Sequence, residues 1–185
     1  MAAKAKTLED LFHETLKDIY FAEKQILKAL PKLAKAANSD QLRNAFQTHR
    51  DETEGQLGRL EEIFELIRKP ARGKTCDAIL GILDEGKEVM EEFEDSPALD
   101  AGLLAGAQAV EHYEISRYGT LKTWASELGL SEAAKLLDET LVEEVPLAHE
   151  FGGHMSPVLQ DWTRKKSAGT SGSRRNDNFI PFPVY

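Results

Sequence analysis

Four long stretches of this chain repeat apolar residues at alternating spacings of three and four, and no stretch of useful length alternates as a half-buried strand would. The first stripe reads Leu8, Phe12, Thr15, Ile19, Glu23, Ile26, Leu30, Leu33 and Ala37. The second reads Leu42, Phe46, His49, Thr53, Gln56, Leu60, Ile63 and Ile67, with Ala45 and Glu52 on its flank. The third is Leu104, Ala107, Glu111, Glu114, Tyr118, Leu121, Ala125 and Leu128, and the fourth Ala134, Leu137, Leu141, Glu144, Ala148 and Phe151. At 3.6 residues per turn each set lies along one helix face. Four such faces joined by short or helical connections bury one another in an all-α, antiparallel four-helix bundle.

Local signals set the expected ends. Thr7 and Asp10 read as a capping box that opens the first helix, and Pro31, which lacks a backbone donor, is expected to kink it. AANSD breaks the chain, and the second helix is expected from about Asp40 to Arg68, followed by the loop KPARGK. An extra short helix is expected over Thr75–Phe93, with Ile79, Ile82, Leu83, Val89 and Met90 inward. Ser96 reads as the cap of the next long helix with Pro97 in its first turn. Gly129 reads as a stop and Ser131 as the cap of the last helix. Beyond Gly152 and Gly153 the pattern weakens into a linker-like SAGTSGSRRND and an apolar FIPFPVY. The expected division is a bundle over residues 1–165 and a tail over 166–185.

Composition then excludes function classes. With 185 residues and a formal net charge of −9, the surface is wrong for nucleic acid, which needs a basic face. Cys76 is the single cysteine, so a Cys-based zinc or iron–sulfur site cannot be built. No apolar run is long enough to cross a membrane, and a cytoplasmic protein is expected. Leu66, Val89, Phe93 and Trp124 give the outer faces more apolar character than one domain buries, which points to a homodimer.

The residues with chemistry in them lie on the stripes. Glu23, His49, Glu111, Glu114 and Glu144 take positions that the helical period assigns to the core, with Glu52 beside them. A buried carboxylate without a partner costs several kcal/mol or is driven to neutrality. Each of these alone is most simply a rim residue or a hydrogen-bonded core histidine. Spread over all four long helices, they share one explanation. Residues three apart on a helix lie on one face, so His49 with Glu52 and Glu111 with Glu114 can aim at one point, joined by Glu23 and Glu144. Five carboxylates and an imidazole suit iron or manganese. Di-metal carboxylate bundles use a similar plan, although there the paired motif is ExxH twice rather than HxxE and ExxE. Tyr20 and Tyr118 flank this cluster; His13 and His112 fall off the stripe and are expected to be exposed.

At these residues the sequence resembles a known family. LKDIYFAEKQILKALPKLAKAA, HRDETEGQLGRLEEIF, KPARGKTCDAI and AGLLAGAQAVEHYEISRYGTLKTWA are similar to the YciE/YciF family of ferritin-like bacterial stress proteins, over about Thr7 to Glu144. The resemblance implies a ferritin-like bundle, a dimer rather than a cage, and a di-iron or di-manganese site, two ions per chain. By position it carries Glu23, His49, Glu52, Glu111, Glu114 and Glu144 over as ligands. Peroxide, dioxygen or Fe(II) are the small substrates such a site takes. After Glu144 the likeness fails: Pro146 stands inside the expected helix, Ala148 where an acidic residue would be usual, and His149 is a substitute ligand at best. A non-catalytic structural or protective bundle with a vestigial metal site is the alternative.

Overall fold

The computed structural model describes residues 5–144. The expectations for Pro146, Ala148, His149 and the C-terminal tail lie outside the described residues. Among the described residues five helices follow one another: α1 Leu8–Ala36, α2 Asp40–Leu66, α3 Asp77–Glu92, α4 Leu99–Glu127, and α5 from residue 131 to the last described residue, 144. Among the described residues there is no strand. The helices α1, α2, α4 and α5 form the antiparallel four-helix bundle of ferritin-like proteins, and α3, of 16 residues, is the extra short helix laid against α1 and α4.

Local chemistry explains most of the boundaries. The Thr7 hydroxyl accepts from Asp10 N at 3.4 Å, and the Asp10 carboxylate accepts from Thr7 N at 3.0 Å, closing the capping box at the start of α1. That helix runs unbroken through Pro31 to Ala36. The α1–α2 turn is only three residues long, and a distant side chain holds it. Asp100 of α4 accepts from Asn38 N and Ser39 N, each at 2.8 Å, while Ser39 caps α2 by accepting from Leu42 N. The second helix ends at Leu66, two residues before the expected Arg68. There the chain turns into the left-handed region (φ +55° at Arg68), and Lys69 N donates to Phe64 O at 2.9 Å.

Two caps differ from expectation. Ser96 accepts from Ala98 N at 3.1 Å, closing a tight turn upstream, and α4 begins at Leu99 with no side-chain cap. Ser131 is the first residue of α5 rather than its cap. Gly129, at φ +71°, is the expected stop.

Packing follows the stripes, with slips of phase in α1 and α5. In α1 Leu16 is fully buried where Thr15 is half-buried. In α5 Ala133, Leu137, Thr140 and Glu144 face inward, and Ala134 and Leu141 are half-buried. α3 presses on α4 so closely that a Cβ on Gly102 would stand 2.6 Å from Val89 Cγ1. Its start is held by a polar chain: Cys76 Sγ lies 3.0 Å from Tyr113 Oη, Tyr113 donates to Asp18 at 2.8 Å, and Arg117 sits 3.6 Å from the same carboxylate. Of the four residues offered for a dimer face, Leu66 and Phe93 are exposed, whereas Val89 and Trp124 pack partly against their own core. No described helix is long and apolar enough to cross a membrane.

Candidate metal centre

The helical phase that buries Phe46 and Leu42 on α2 also buries His49, and the phase that buries Ala107 and Leu121 on α4 buries Glu111 and Glu114. Glu23 comes inward from α1 and Glu144 from α5; neither has measurable exposure. One ligand atom from each of His49, Glu111, Glu114 and Glu144 lies within 4.8 Å of the others. That grouping can hold a metal ion.

The two remaining sequence candidates stand at its edges. Glu23 accepts a hydrogen bond from Tyr118 at 2.6 Å and interacts with Glu114 and Glu144. Glu52 is half-buried, and its charge is felt at Glu111 and Glu144.

Donors are scarce where acceptors are many. His49 Nδ1 lies 3.0 Å from Glu111 Oε1, and Nε2 lies 3.7 Å from Glu114 Oε2. The Gln56 amide donates to Glu144. Yet both oxygens of Glu111 and of Glu114, and one each of Glu23 and Glu144, are buried with no donor aligned on them. Buried polar atoms are hydrogen-bonded in the great majority of cases, and each exception calls for a cause such as an absent ion. Protons shared between carboxyls, or cations, are the two means of satisfying these oxygens.

Electrostatics say the same. Burial, together with the neighbouring carboxylates, raises Glu23 to about 8 and Glu144 to about 7. Glu111 and Glu114 are pushed up as well, first by burial and then by the charges around them. Burial alone holds His49 down, at about 4, so its imidazole is neutral and available as a ligand at ordinary pH. Tyr118 is held strongly protonated by burial and by Glu23 beside it, which fixes it as a donor. A set that is all hard oxygen plus one neutral imidazole, and is poor in donors, has the chemistry of a site for a metal ion.

Several polar residues differ from their sequence reading. The Tyr20 hydroxyl donates to Glu61 at 2.7 Å, and its ring packs edge-on against Phe64. His13 is half-buried rather than exposed, its ring against Phe64, because the wide apolar face of α1 extends past the stripe. His112 is exposed as expected. Gln56, which the sequence placed on the stripe without a role, positions Glu144. Arg59 donates to Thr140 at 2.8 Å and pairs with Glu143, tying α2 to α5 one turn from the cluster. Thr140 was hidden by the one-residue slip in the α5 phase. A polar residue recurring on an apolar stripe was the signal that would have found Gln56.

Comparisons with known proteins agree with this architecture. Residues 7–163 match the family described as Domain of unknown function (DUF892). Protein YciF of Escherichia coli (strain K12) is 47% identical over 140 residues, covering 75% of this chain and 84% of that protein. The crystal structure of the E. coli stress protein YciF superposes with a TM-score of 0.80 at 42% identity, covering 84% of this chain and 99% of that one. YcfI of Rhodopseudomonas palustris, put forward as a structural protein, matches with a TM-score of 0.78 at 41% identity, over 82% of this chain and 97% of its own. A protein of Xanthomonas campestris shares the fold at 18% identity, with a TM-score of 0.69 over 87% of this chain and 99% of that one.

Proposed function

This chain belongs to the DUF892 family of YciF-like proteins, and from the acidic core of its bundle we propose that it is a metal-dependent, stress-related redox protein. In this reading Glu23, His49, Glu52, Glu111, Glu114 and Glu144 hold two ions of iron or manganese per chain. The observation that carries it is the set of buried glutamate oxygens without donors beside a neutral imidazole. Two such ions supply paired one-electron chemistry toward peroxide, dioxygen or Fe(II).

The chain's own residues have separable parts in this reading. The glutamates provide negative charge that metal binding stabilises, and they give up protons as it binds. Gln56 orients Glu144, and Tyr118 orients Glu23 from the opposite side. Tyr118 is also a phenol in hydrogen-bond contact with one candidate ligand, Glu23, and in this reading it would serve as an electron donor to the centre. The reading includes a homodimer, supported by the exposed Leu66 and Phe93, and a cytoplasmic location.

A second reading is a structural bundle whose cluster is vestigial. It is favoured by the structural role put forward for YcfI and by the Gln56 amide, which already satisfies one oxygen of Glu144. Metal analysis of protein purified without chelator separates the two. The redox reading expects two equivalents of iron or manganese per chain; an empty protein that refuses Fe(II) belongs to the structural reading.

A further inference from the structure

A cavity of about 560 Å³ opens between α3 and the bundle, walled by α1, α3 and α4, with Phe46 and His49 of α2 reaching it from inside. Its volume is within the roughly 300–1,000 Å³ that small-ligand sites occupy. The walls are apolar: Ile26, Leu30, Leu83, Met90, Leu103 and Val110 all contribute. Three glycines also line it, Gly81 and Gly86 on α3 and Gly106 on α4. A Cβ on any of them would meet nothing within 4 Å. Glycine inside a helix is unfavourable relative to alanine, and no close approach requires it here, in contrast to Gly102. What these glycines keep is room.

The charges at the cavity run against the balance of the chain. On a protein with a net charge of −9, Lys28 and Lys32 of α1 and Lys87 of α3 line it, all exposed, while Asp84 is the one acidic lining residue and Lys87 also pairs with Glu91 at 3.5 Å across an exposed turn of α3. At its inner end the cavity meets His49 and, behind it, the glutamates. An anionic head there would lose its hydration against buried carboxyl oxygens and a neutral imidazole, whereas an alkyl chain has no charge to desolvate. We propose that the cavity binds a single-chain amphiphile with an anionic head, a free long-chain carboxylate, its chain directed inward and its head among the three lysines. A space walled on three sides admits one alkyl chain and not a bilayer. This site goes beyond the metal reading and does not depend on it.

Calorimetric titration of the full chain with dodecanoate tests the proposal, with dodecyltrimethylammonium as the cationic counterpart of equal chain length. Saturable binding of dodecanoate is expected, with the cationic amphiphile at least about tenfold weaker. The double variant Lys28→Glu/Lys32→Glu lies on the exposed surface and should reverse that preference while keeping the metal content of the parent. Gly106→Leu fills the cavity and should weaken dodecanoate by more than about tenfold; should it fail to fold, the charge variant decides. Equal binding of the two amphiphiles, no saturable binding, or a folded Gly106→Leu that binds like the parent would overturn the proposal. Metal content measured alongside keeps its failure distinct from failure of the metal reading.

Discussion

Among its described residues this acidic chain buries carboxylates at two places, and the two are built on opposite terms. At the α1–α2 turn, Asp100 is 7% exposed and accepts two backbone N–H groups at 2.8 Å. At mid-bundle, Glu23, Glu111, Glu114 and Glu144 are buried completely, and most of their oxygens have no donor beyond a proton shared with another carboxyl. Hydrogen bonds to a charged group are net stabilising, whereas a buried acceptor left unsatisfied costs the full desolvation of that atom. Asp100 is therefore part of what holds the fold. The glutamates are something the fold sustains, at a cost that the apolar layers above and below must offset. A buried acid is evidence of structure or of function according to where its donors are.

The largest contrast comes from removing one carboxylate of each kind. Glu111→Ala should lower metal affinity by about 100-fold or more, the upper end of what even supporting residues of a metal site cost. It should leave the metal-free protein within about 1 kcal/mol of the parent, or more stable, since like-charge repulsion is relieved. Asp100→Ala should do the reverse, costing about 3 kcal/mol in chemical denaturation for two charge-assisted bonds while metal affinity stays put. Equal effects of the two variants on both measurements would erase the distinction.

Acidity sharpens it. Folded-state values of about 7 for Glu144 and about 8 for Glu23 lie above the ordinary carboxyl value of 4.5. Their stabilisation is thus full below 4.5 and is lost as pH rises through those values. His49, held at about 4 against an ordinary 6.5, works in the other direction and loses its contribution as pH falls below 6.5. Several glutamates outweigh one histidine, so the metal-free protein should melt at progressively lower temperature from about pH 6 to pH 9. With saturating Mn(II) the trend should flatten or invert, because deprotonated ligands bind metal better. Thermal melts across that range, with and without chelator, check both statements.

Smaller effects belong to the supporting residues. Tyr118→Phe removes the donor to Glu23 and should cost about 1–3 kcal/mol with a several-fold weaker metal affinity, read by the same denaturation and titration. Cys76→Ser should change stability by about 1 kcal/mol or less and leave metal content unaltered, since the thiol serves the Tyr113–Asp18 chain at the start of α3. Loss of metal from Cys76→Ser would place that chain within the centre after all.

The sequence carried the bundle well because helical period is a long-range average: one misplaced residue in a stripe of nine does not move the axis. It carried the cluster for the same reason, since polar residues repeating in core phase are visible against apolar neighbours. Single-residue features were less legible. The α5 phase slipped by one, exchanging Ala133 and Thr140 for Ala134 and Leu141, because Leu and Ala occupy both registers there. Asp100 could not be found, since its partners lie 61 and 62 positions away and only the folded chain brings that turn to α4. The start of α4 was misread because Ser96 has the chemistry of a cap and uses it on a turn instead.

The central claim is that the donor-poor glutamates wait for a cation. Anaerobic calorimetric titration with Fe(II) or Mn(II), repeated in buffers of different ionisation enthalpy, tests it most directly. The account predicts two equivalents bound per chain with net release of protons to the buffer, and loss of both signals in Glu111→Ala. Binding without proton release, or no binding by a parent protein that is folded and chelator-free, would contradict it.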